Sequence, residues 1–328
     1  MRMATPMRGM LAALFSISAL TGAAAHADTY PSKPITLVVG YPAGGSVDLT
    51  ARILSEELSS RLGKSIIVEN AGGAGGTIGA QRVARSTADG YTLLLGSTNE
   101  MVIAGMINQA VRYDGQKDFT PIGIIASQPM LLAASKKSGI NSAAHYLKSL
   151  KSSEANHYSF GSSGVGTALH LAGEMVNEAT GTSSLHVPYR GVAPLVSDLI
   201  SGQLDLAYLV LSSGLPQVKA GAIVPLGITE KQRSQAAPDI PALAETPGFE
   251  KVDINVWFAL YGPANLPEPV LSKLRSALDE SLQSATLRDR LSASGATLYK
   301  PGLDPVAFQG QEVDKYARLV KLANIQPE

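Results

Sequence analysis

Three short stretches rich in glycine and serine carry the residues most suited to binding chemistry. They are residues 41–46 (YPAGGS), 71–77 (AGGAGGT) and 161–167 (GSSGVGT), which we call the first, second and third glycine loops. Each loop follows an apolar run and opens a helical pattern. Glycine lets the backbone approach a ligand closely, and the N–H groups at a helix start favour an anion. The loops therefore predict a receptor that hydrogen-bonds an anion such as a carboxylate, rather than a catalyst.

The spacing of these loops does not match the motifs for nucleotide binding or hydrolysis. A phosphate loop would need glycine where Leu58 stands, and a dinucleotide fingerprint would need it in place of Ile78. The third glycine loop has Val165 where a nucleophile elbow has glycine. His170 and Glu174 stand four residues apart and could share a metal, but we expect His170 to pack or hydrogen-bond beside the loop. The sequence thus predicts no catalytic residue, metal or cofactor, with an exported enzyme as an alternative.

The strands and helices that must position these loops alternate along the chain. Strands are predicted at residues 35–39, 66–68, 91–95, 130–134, 157–160, 185–189, 204–211, 222–228 and 256–263. Apolar residues at helical spacing separate most of them, as between Val47 and Leu62, where Gly63 ends the helix. This order is typical of an α/β fold with mainly parallel sheets flanked by helices. Ligands of such sheets bind beyond the carboxyl ends of the strands, where the loops lie.

The chain is expected to form two lobes and to cross between them twice, near Ser127 and near Asp253. The α/β pattern restarts at Met130, and a last stretch with two helices follows the strand at 256–263. Lobe 1 is predicted to comprise residues 28–127 and 253–328, and lobe 2 residues 128–252. A double crossing of this kind acts as a hinge, with the ligand cleft between the lobes.

The N-terminal 27 residues are typical of a cleaved secretory signal. Arg2 and Arg8 precede a short apolar core, and residues 25–27 (AHA) form a cleavage site, which predicts a mature start at Asp28. Removing these two arginines leaves 25 basic and 27 acidic residues, a balance that argues against binding to nucleic acid or a membrane surface. The chain has no cysteine, which excludes disulfides and cysteine-ligated metals.

Short motifs in a fixed order over nearly the whole mature chain resemble those of one receptor family. They are residues 30–35 (YPSKPI), 42–48 (PAGGSVD), 68–70 (VEN), 72–76 (GGAGG), 89–92 (DGYT), 118–121 (DFTP), 164–172 (GVGTALHLA), 186–191 (HVPYRG) and 202–205 (GQLD). The chain resembles the Bug-type receptors, the extracytoplasmic solute-binding proteins of tripartite tricarboxylate transporters. The resemblance implies a two-lobed flytrap fold in the periplasm. It also implies capture of a small organic carboxylate, either a dicarboxylate or an aromatic one, and its delivery to a membrane permease.

The resemblance further implies that loop backbone and hydroxyl groups hold the ligand, often with bound water. The expected ligand-binding residues are Tyr41, Gly45, Ser46, Ala74, Gly75, Ser97, Asn99, Ser163, Gly166, Thr167, Pro188 and Tyr208. Asp48 and Arg52 match the family pattern as well, either as ligand residues or as structural ones; Asp48 falls in a first helical turn, where an acid favours the helix dipole.

Two positions depart from the family pattern. The strand residues Tyr208, Leu209 and Val210 stand where many relatives carry an acid or amide, which removes a polar group from one pocket wall. Glu100 stands where small neutral residues are more usual. It either faces the cleft, where it would repel a second ligand carboxylate or attract an amine, or is solvated or caps a helix, which we expect instead. Together the departures argue against aspartate or glutamate and favour a larger or partly apolar acid.

The partners expected from these features are the organic acid itself and the membrane permease. A periplasmic sensor input that hands its liganded state to a sensor kinase is an alternative that the sequence leaves open. We expect a monomer that binds no nucleic acid.

Overall fold

The computed structural model describes Met1 and residues 30–325, so the predicted signal segment lies almost entirely outside the described residues. The strands are β1 (Ile35–Val39), β2 (Ile66–Asn70), β3 (Thr92–Ser97), β4 (Phe119–Ala134), β5 (Ser159–Ser162), β6 (Leu185–Pro188), β7 (Leu206–Val210), β8 (Val224–Ile228), β9 (Asn255–Pro263) and β10 (Thr297–Leu298). The helices are α1 (Ser46–Leu62), α2 (Thr77–Ala84), α3 (Ala104–Ile107), α4 (Ala143–Ser152), α5 (Ala168–Thr180), α6 (Val192–Ser201), α7 (Leu211–Lys219), α8 (Glu268–Gln283), α9 (Ala285–Ala293) and α10 (Pro305–Leu322).

The sheet of lobe 1 has the strand order β2-β1-β3-β9-β4. Strand β1 is parallel to both β2 and β3. Parallel neighbours need a long crossover connection, which the helices α1 and α2 provide. Strand β9 arrives from the far end of the chain and pairs antiparallel with β3 and with β4. The loops that follow β1 and β2 therefore lie at one edge of this sheet, as predicted.

The sheet of lobe 2 repeats this plan with β5 parallel to both β6 and β7. Strand β4 pairs antiparallel with β7 and β8. Both sheets are therefore mixed rather than mainly parallel. The reason is that β4 and β9 run between the parallel units, and the periodicity of a single strand does not reveal its direction in the sheet.

Strand β4 belongs to both sheets and joins the lobes. It is 16 residues long and pairs with β9 from Phe119 to Pro129, then with β7 and β8 from Met130 onward. At this crossing the buried Gln128 accepts a hydrogen bond from the Ser212 hydroxyl of α7, at 2.6 Å. The lobe boundaries predicted from the sequence stay a prediction, but the pairing partners of β4 change within two residues of the expected crossing.

The apolar core follows the two faces of these sheets. One cluster extends from Leu37 and Leu95 in lobe 1 to Leu132 in lobe 2, and a second, smaller cluster contains Leu131 and Leu209. Neighbouring residues of β4 thus contribute to different clusters, because side chains alternate between the faces of a strand. A sheet covered on both faces explains why its strands are continuous apolar runs. Across residues 30–325, no helix combines the length and apolarity that a bilayer crossing requires.

Candidate functional site

The first glycine loop connects β1 to α1 and leaves the start of that helix open. Gly45 is the N-cap residue and provides no side chain to accept a hydrogen bond from the first turn. Ser46 begins the helix and is half-buried, and its hydroxyl has no partner within residues 30–325. The first N–H groups of an uncapped helix are suited to an anion. The loop therefore presents N–H donors and one uncommitted hydroxyl.

Asp48 holds the first glycine loop in this shape. Its carboxylate accepts hydrogen bonds from the Gly44 N–H at 2.9 Å, the Arg52 Nε at 3.0 Å and the Asn70 Nδ2 at 2.9 Å. Burial alone would raise the pKa of Asp48, but these hydrogen bonds together hold it below its ordinary value. Asp48 and Arg52 are therefore structural residues of the loop.

The second glycine loop meets the first at Tyr41. The Tyr41 Oη lies 2.8 Å from the Gly75 carbonyl oxygen and 3.3 Å from the Ser97 Oγ at the end of β3. Gly76 has φ 98°, and a side chain there would collide with the Tyr41 hydroxyl. Glycine at this position thus allows the second loop to close onto Tyr41.

Glu100 occupies the centre of this group and is 1% exposed. Its Oε2 accepts hydrogen bonds from the Tyr41 hydroxyl at 2.7 Å and the Ser97 hydroxyl at 2.6 Å, and its Oε1 accepts one from the Ser97 N–H at 2.6 Å. The contact with the Ser97 N–H corresponds to one half of a capping box, in which a glutamate accepts from a backbone N–H just before a helix; the Ser97 hydroxyl donates to Glu100 rather than to the turn. The expected cap is therefore present, whereas the expected solvation is wrong because the side chain is buried.

The π turn Asn99–Ile103 carries Glu100 and continues into α3. Thr98, just before the turn, is fully buried, and its hydroxyl accepts a hydrogen bond from the backbone N–H of Trp257 in β9 at 2.9 Å. The Trp257 ring is fully buried and packs edge-on against Phe308 of α10. The end of β3 is thus fixed on both sides of Glu100.

The third glycine loop connects β5 to α5 and is held by its own helix. The Thr167 hydroxyl donates to the Gly164 carbonyl at 2.9 Å and accepts from the His170 N–H, which makes Thr167 the N-cap of α5. The His170 Nδ1 accepts from the Gly166 N–H at 2.9 Å. Ser163 is half-buried, and its hydroxyl has no hydrogen bond to any described residue. Like the first loop, the third presents one uncommitted hydroxyl near a helix start.

His170 forms part of a stacked cluster beside the third glycine loop. Its ring lies 3.7 Å from the His186 ring, centroid to centroid, and its Nε2 lies 3.4 Å from the Glu174 Oε1. Burial and the neighbouring His170 lower the pKa of His186 to about 3, so this ring is neutral at physiological pH. His170 therefore packs and hydrogen-bonds beside the loop, as expected. No group of three potential ligands in residues 30–325 could hold a metal ion.

The two lobes touch directly between α3 and α5. The Asn99 Oδ1 accepts a hydrogen bond from the Ala168 N–H at 2.8 Å, in the first turn of α5. The Ile107 side chain packs so closely against Gly166 that a Cβ atom there would overlap it. An amide oxygen from lobe 1 thus occupies part of the helix start that the third glycine loop provides. The two lobes therefore meet at the third glycine loop and the start of α5.

The predicted ligand-binding residues differ in how their polar atoms are used. Those with a hydroxyl uncommitted within residues 30–325 are Ser46 and Ser163. Those whose side chains are hydrogen-bonded inside the protein are Tyr41, Ser97, Asn99 and Thr167. Those at exposed positions are Ala74, Gly75 and Pro188, while Gly45 is half-buried and Gly166 and Tyr208 are buried. Contact of each with a ligand stays a prediction.

Leu209 proves to be a core residue. It is fully buried in the smaller apolar cluster, whereas its neighbour Tyr208 belongs to the larger cluster and packs edge-on against Phe160. The departure from the family pattern at Leu209 therefore lies in the core of lobe 2 rather than on an exposed wall.

The hydrogen bonds of Tyr41 and Ser97 to Glu100 were not predicted from the sequence, although the Ser97-x-x-Glu100 spacing, which is that of a capping box, was a usable signal.

Comparison with known proteins gives one consistent result. A model described as the tripartite tricarboxylate transporter family receptor matches residues 50–325. The structure of the periplasmic binding protein BugD is similar, with a TM-score of 0.83 and 32% identity, covering 91% of this chain and 100% of BugD. A protein of R. palustris solved with adipate gives a TM-score of 0.85 at 29% identity, covering 91% and 100% of the two chains. MatC from Rhodopseudomonas palustris with bound malate gives a TM-score of 0.80 at 27% identity, covering 89% of this chain and 100% of MatC.

These likenesses extend over both lobes and over the three loops that meet between them. The Bug-type resemblance of the sequence motifs is thereby confirmed, and the chain belongs to the receptor family of the tripartite tricarboxylate transporters.

Proposed function

We propose that this protein captures a small organic carboxylate in the cleft between its lobes and delivers it to a membrane permease. The observation that carries the proposal is the pair of uncommitted serine hydroxyls, Ser46 and Ser163, one at each of two loops that open helices on opposite lobes. Two relatives of similar fold are described with the carboxylates adipate and malate. BugD is described as periplasmic, which supports the same location for this chain.

The binding energy must come from more than the helix starts. Each helix terminus stabilises an anion by about 0.3–1 kcal/mol, and by up to about 2 kcal/mol when partly buried. A micromolar ligand needs about 8 kcal/mol. Direct hydrogen bonds from loop N–H groups and the two hydroxyls, strengthened by closure of the cleft, must therefore supply most of the affinity.

A thermal-shift screen tests the class of ligand. The mature protein is heated with mono-, di- and tricarboxylates, aromatic acids, amino acids and sugars, because a ligand that binds only the folded state raises the melting temperature. We expect shifts from acids. Shifts from sugars or amines alone would contradict the proposal.

Serine-to-alanine variants then test the site. A hydrogen bond to a charged group contributes roughly 1.5–3 kcal/mol. Ser46→Ala and Ser163→Ala should therefore each lower the affinity for the most tightly bound acid by about tenfold or more. The control is Ser292→Ala, an exposed helical serine of α9. The sequence also predicts weaker binding for Thr167→Ala, but Thr167 caps α5, so Ser163 gives the clearer result. Unchanged affinity in both site variants would overturn the assignment of the loops.

A further inference from the structure

A carboxylate of the protein itself already occupies part of the lobe 1 site. Glu100 accepts three hydrogen bonds, all from Tyr41 and Ser97, which are predicted ligand-binding residues. Its Oε2 also lies where a side chain on Gly76 would stand, so the second glycine loop closes directly over it. Two hydroxyls that the sequence assigns to the ligand, those of Tyr41 and Ser97, are therefore already hydrogen-bonded inside the protein.

The Tyr41 and Ser97 hydroxyls have no spare proton for a second anion. The Tyr41 hydroxyl has one proton, but both the Gly75 carbonyl oxygen and the Glu100 Oε2 lie within 2.8 Å of it. When Glu100 is ionised, its carboxylate accepts the hydrogen bond from the Tyr41 hydroxyl, and the exposed Gly75 carbonyl is left without this donor. The surface toward the ligand on this side thus offers acceptors, which a carboxylate cannot use.

The charge around Glu100 points the same way. The titratable groups that act on it are phenols, namely Tyr41, Tyr113 and Tyr261, and no lysine, arginine or histidine of residues 30–325 pairs with it. Burial raises the pKa of Glu100 to about 7. The group is consequently an uncompensated anion at pH 8, and it would repel a ligand anion placed against Tyr41.

We propose that Glu100 is a specificity-determining residue that excludes a second ligand carboxylate from lobe 1. The protein then selects acids with one carboxylate and with a hydrogen-bond donor, a hydroxyl or an ammonium group, at the far end. This inference rests on the proposed function, because the first carboxylate is assigned to the loops that carry Ser46 and Ser163.

A series of acids of equal length tests the proposal by calorimetric titration. The probes are adipate, hexanoate, 6-hydroxyhexanoate and 6-aminohexanoate, with the corresponding four-carbon acids as a second series. Wild type at pH 8 should bind the hydroxy or amino acid at least about tenfold more tightly than the dicarboxylate of the same length. In Glu100→Gln the affinity for the dicarboxylate should rise about tenfold or more, while the affinity for the hydroxy acid should change little. The charge control is Glu178→Gln, an exposed residue three turns along α5, which should leave the ratios unchanged.

A measurement on wild type alone guards against misfolding of the variant. Glu100 gains its proton as the pH is lowered from 8 to 6. The affinity for the dicarboxylate should therefore increase relative to the affinity for the hydroxy acid. In lobe 2 the pKa values of His186 and Glu174 are lowered, so neither group gains a proton in this range. Any remaining effect of lobe 2 acts on the carboxylate that all probes share and cancels in the ratio.

The outcomes separate the two proposals. A dicarboxylate that binds wild type as tightly as the hydroxy acid, with a ratio insensitive to pH and to Glu100→Gln, would overturn the role of Glu100 and leave carboxylate capture standing. Hexanoate binding as tightly as the hydroxy and amino acids would overturn the need for a donor. If no acid of either series binds either protein at millimolar concentration while sugars or amines do, the proposed function fails and this inference falls with it.

Discussion

Single hydroxyl groups of the site differ in what they are already bonded to. The hydroxyls of Ser46 and Ser163 have no hydrogen-bond partner within residues 30–325, whereas those of Ser97 and Tyr41 donate to Glu100. Residue type alone would rank all four as equal donors. The difference arises because Glu100 is close to Ser97 in sequence and to Tyr41 only through the fold. The spacing could have indicated the contact with Ser97, which was not predicted, but nothing in the sequence indicates the contact with Tyr41.

The buried Glu100 should make stability depend on pH in a defined direction. Burial raises the pKa of Glu100 from 4.5 to about 7, so between these values the folded state holds a proton that the unfolded state has lost. The free energy of unfolding must then fall as pH rises through this window, and it levels off above about 7. Glutamine cannot titrate, so the free energy of unfolding of Glu100→Gln should not show this fall. Relative to wild type, it should increase by roughly 3 kcal/mol between pH 4.5 and 7.5, at about 1.4 kcal/mol per pKa unit.

Urea unfolding of both proteins at pH 4.5, 6 and 7.5 measures this difference. Glu178→Gln, in which an exposed carboxylate is removed, corrects for the change in net charge. Stability curves for wild type and Glu100→Gln that stay parallel over the whole range would contradict an internal carboxylate with a raised pKa.

At the scale of elements, the third glycine loop and α3 fit together only because Gly166 has no side chain. Gly166 has φ 71°, and a Cβ atom there would overlap Ile107 of the other lobe. Gly181, the residue after α5, has a similar φ of 65° but meets no atom within 4 Å. The two glycines thus separate backbone strain from contact between the lobes.

Replacing each glycine by alanine should therefore have different consequences. Both variants should lose about 1 kcal/mol of stability, because alanine is strained at positive φ. Only Gly166→Ala should also weaken ligand binding, since closure would force Ile107 aside, and Ile107→Ala in the same protein should restore it. Urea unfolding and titration calorimetry on the three variants measure the two effects. Equal loss of affinity in Gly166→Ala and Gly181→Ala would contradict the close fit.

Local patterns predicted most helix ends but not every element. Gly63 and Gly202 end α1 and α6 in the left-handed conformation, and Ser142 caps α4, as glycine and serine at those places indicate. Helix α9 was not predicted, because its only buried residues, Leu287 and Leu291, are too few to show a helical period. The early start of β4 at Phe119 was also missed, since Pro121 interrupts the pattern and lies at an irregularity of the pairing, a place where proline is tolerated.

At the scale of the whole molecule, the two lobes meet beside the glycine loops through Asn99 and Ile107. The Ala168 N–H of lobe 2 donates a hydrogen bond to the Asn99 side chain of lobe 1. Removing it should favour the open form of the free protein, because a ligand or contact shifts a conformational equilibrium only by the energy it adds to one state. A saturating acid should still close the variant.

Small-angle scattering on wild type and Asn99→Ala tests this expectation. Asn99→Ala should have a larger radius of gyration than wild type without ligand, and the two should converge when a saturating acid is added. The same profiles give the molecular mass, for which the sequence predicts a monomer. Identical profiles for both proteins, with and without acid, would contradict closure controlled at this contact.

The topology was only partly predictable from sequence. Two α/β units and a return of the chain to lobe 1 were expected, and β9 does pair with β3 in lobe 1. The sharing of β4 between both sheets was not expected, because it depends on pairing between residues more than 70 positions apart, such as Met130 with Val210. No periodicity within one strand carries that information.

The position of Trp257 gives the molecule an optical signal of its own. It is the single tryptophan of the chain and is fully shielded from water, and its backbone N–H is hydrogen-bonded to Thr98, next to the residue that bridges the lobes. Any rearrangement of the π turn on ligand capture is therefore transmitted to one indole, whose fluorescence needs no label and no correction for other tryptophans. Stopped-flow mixing of the unmodified protein with an acid can then give the rate constants of capture and release, which decide how quickly a receptor can supply a permease.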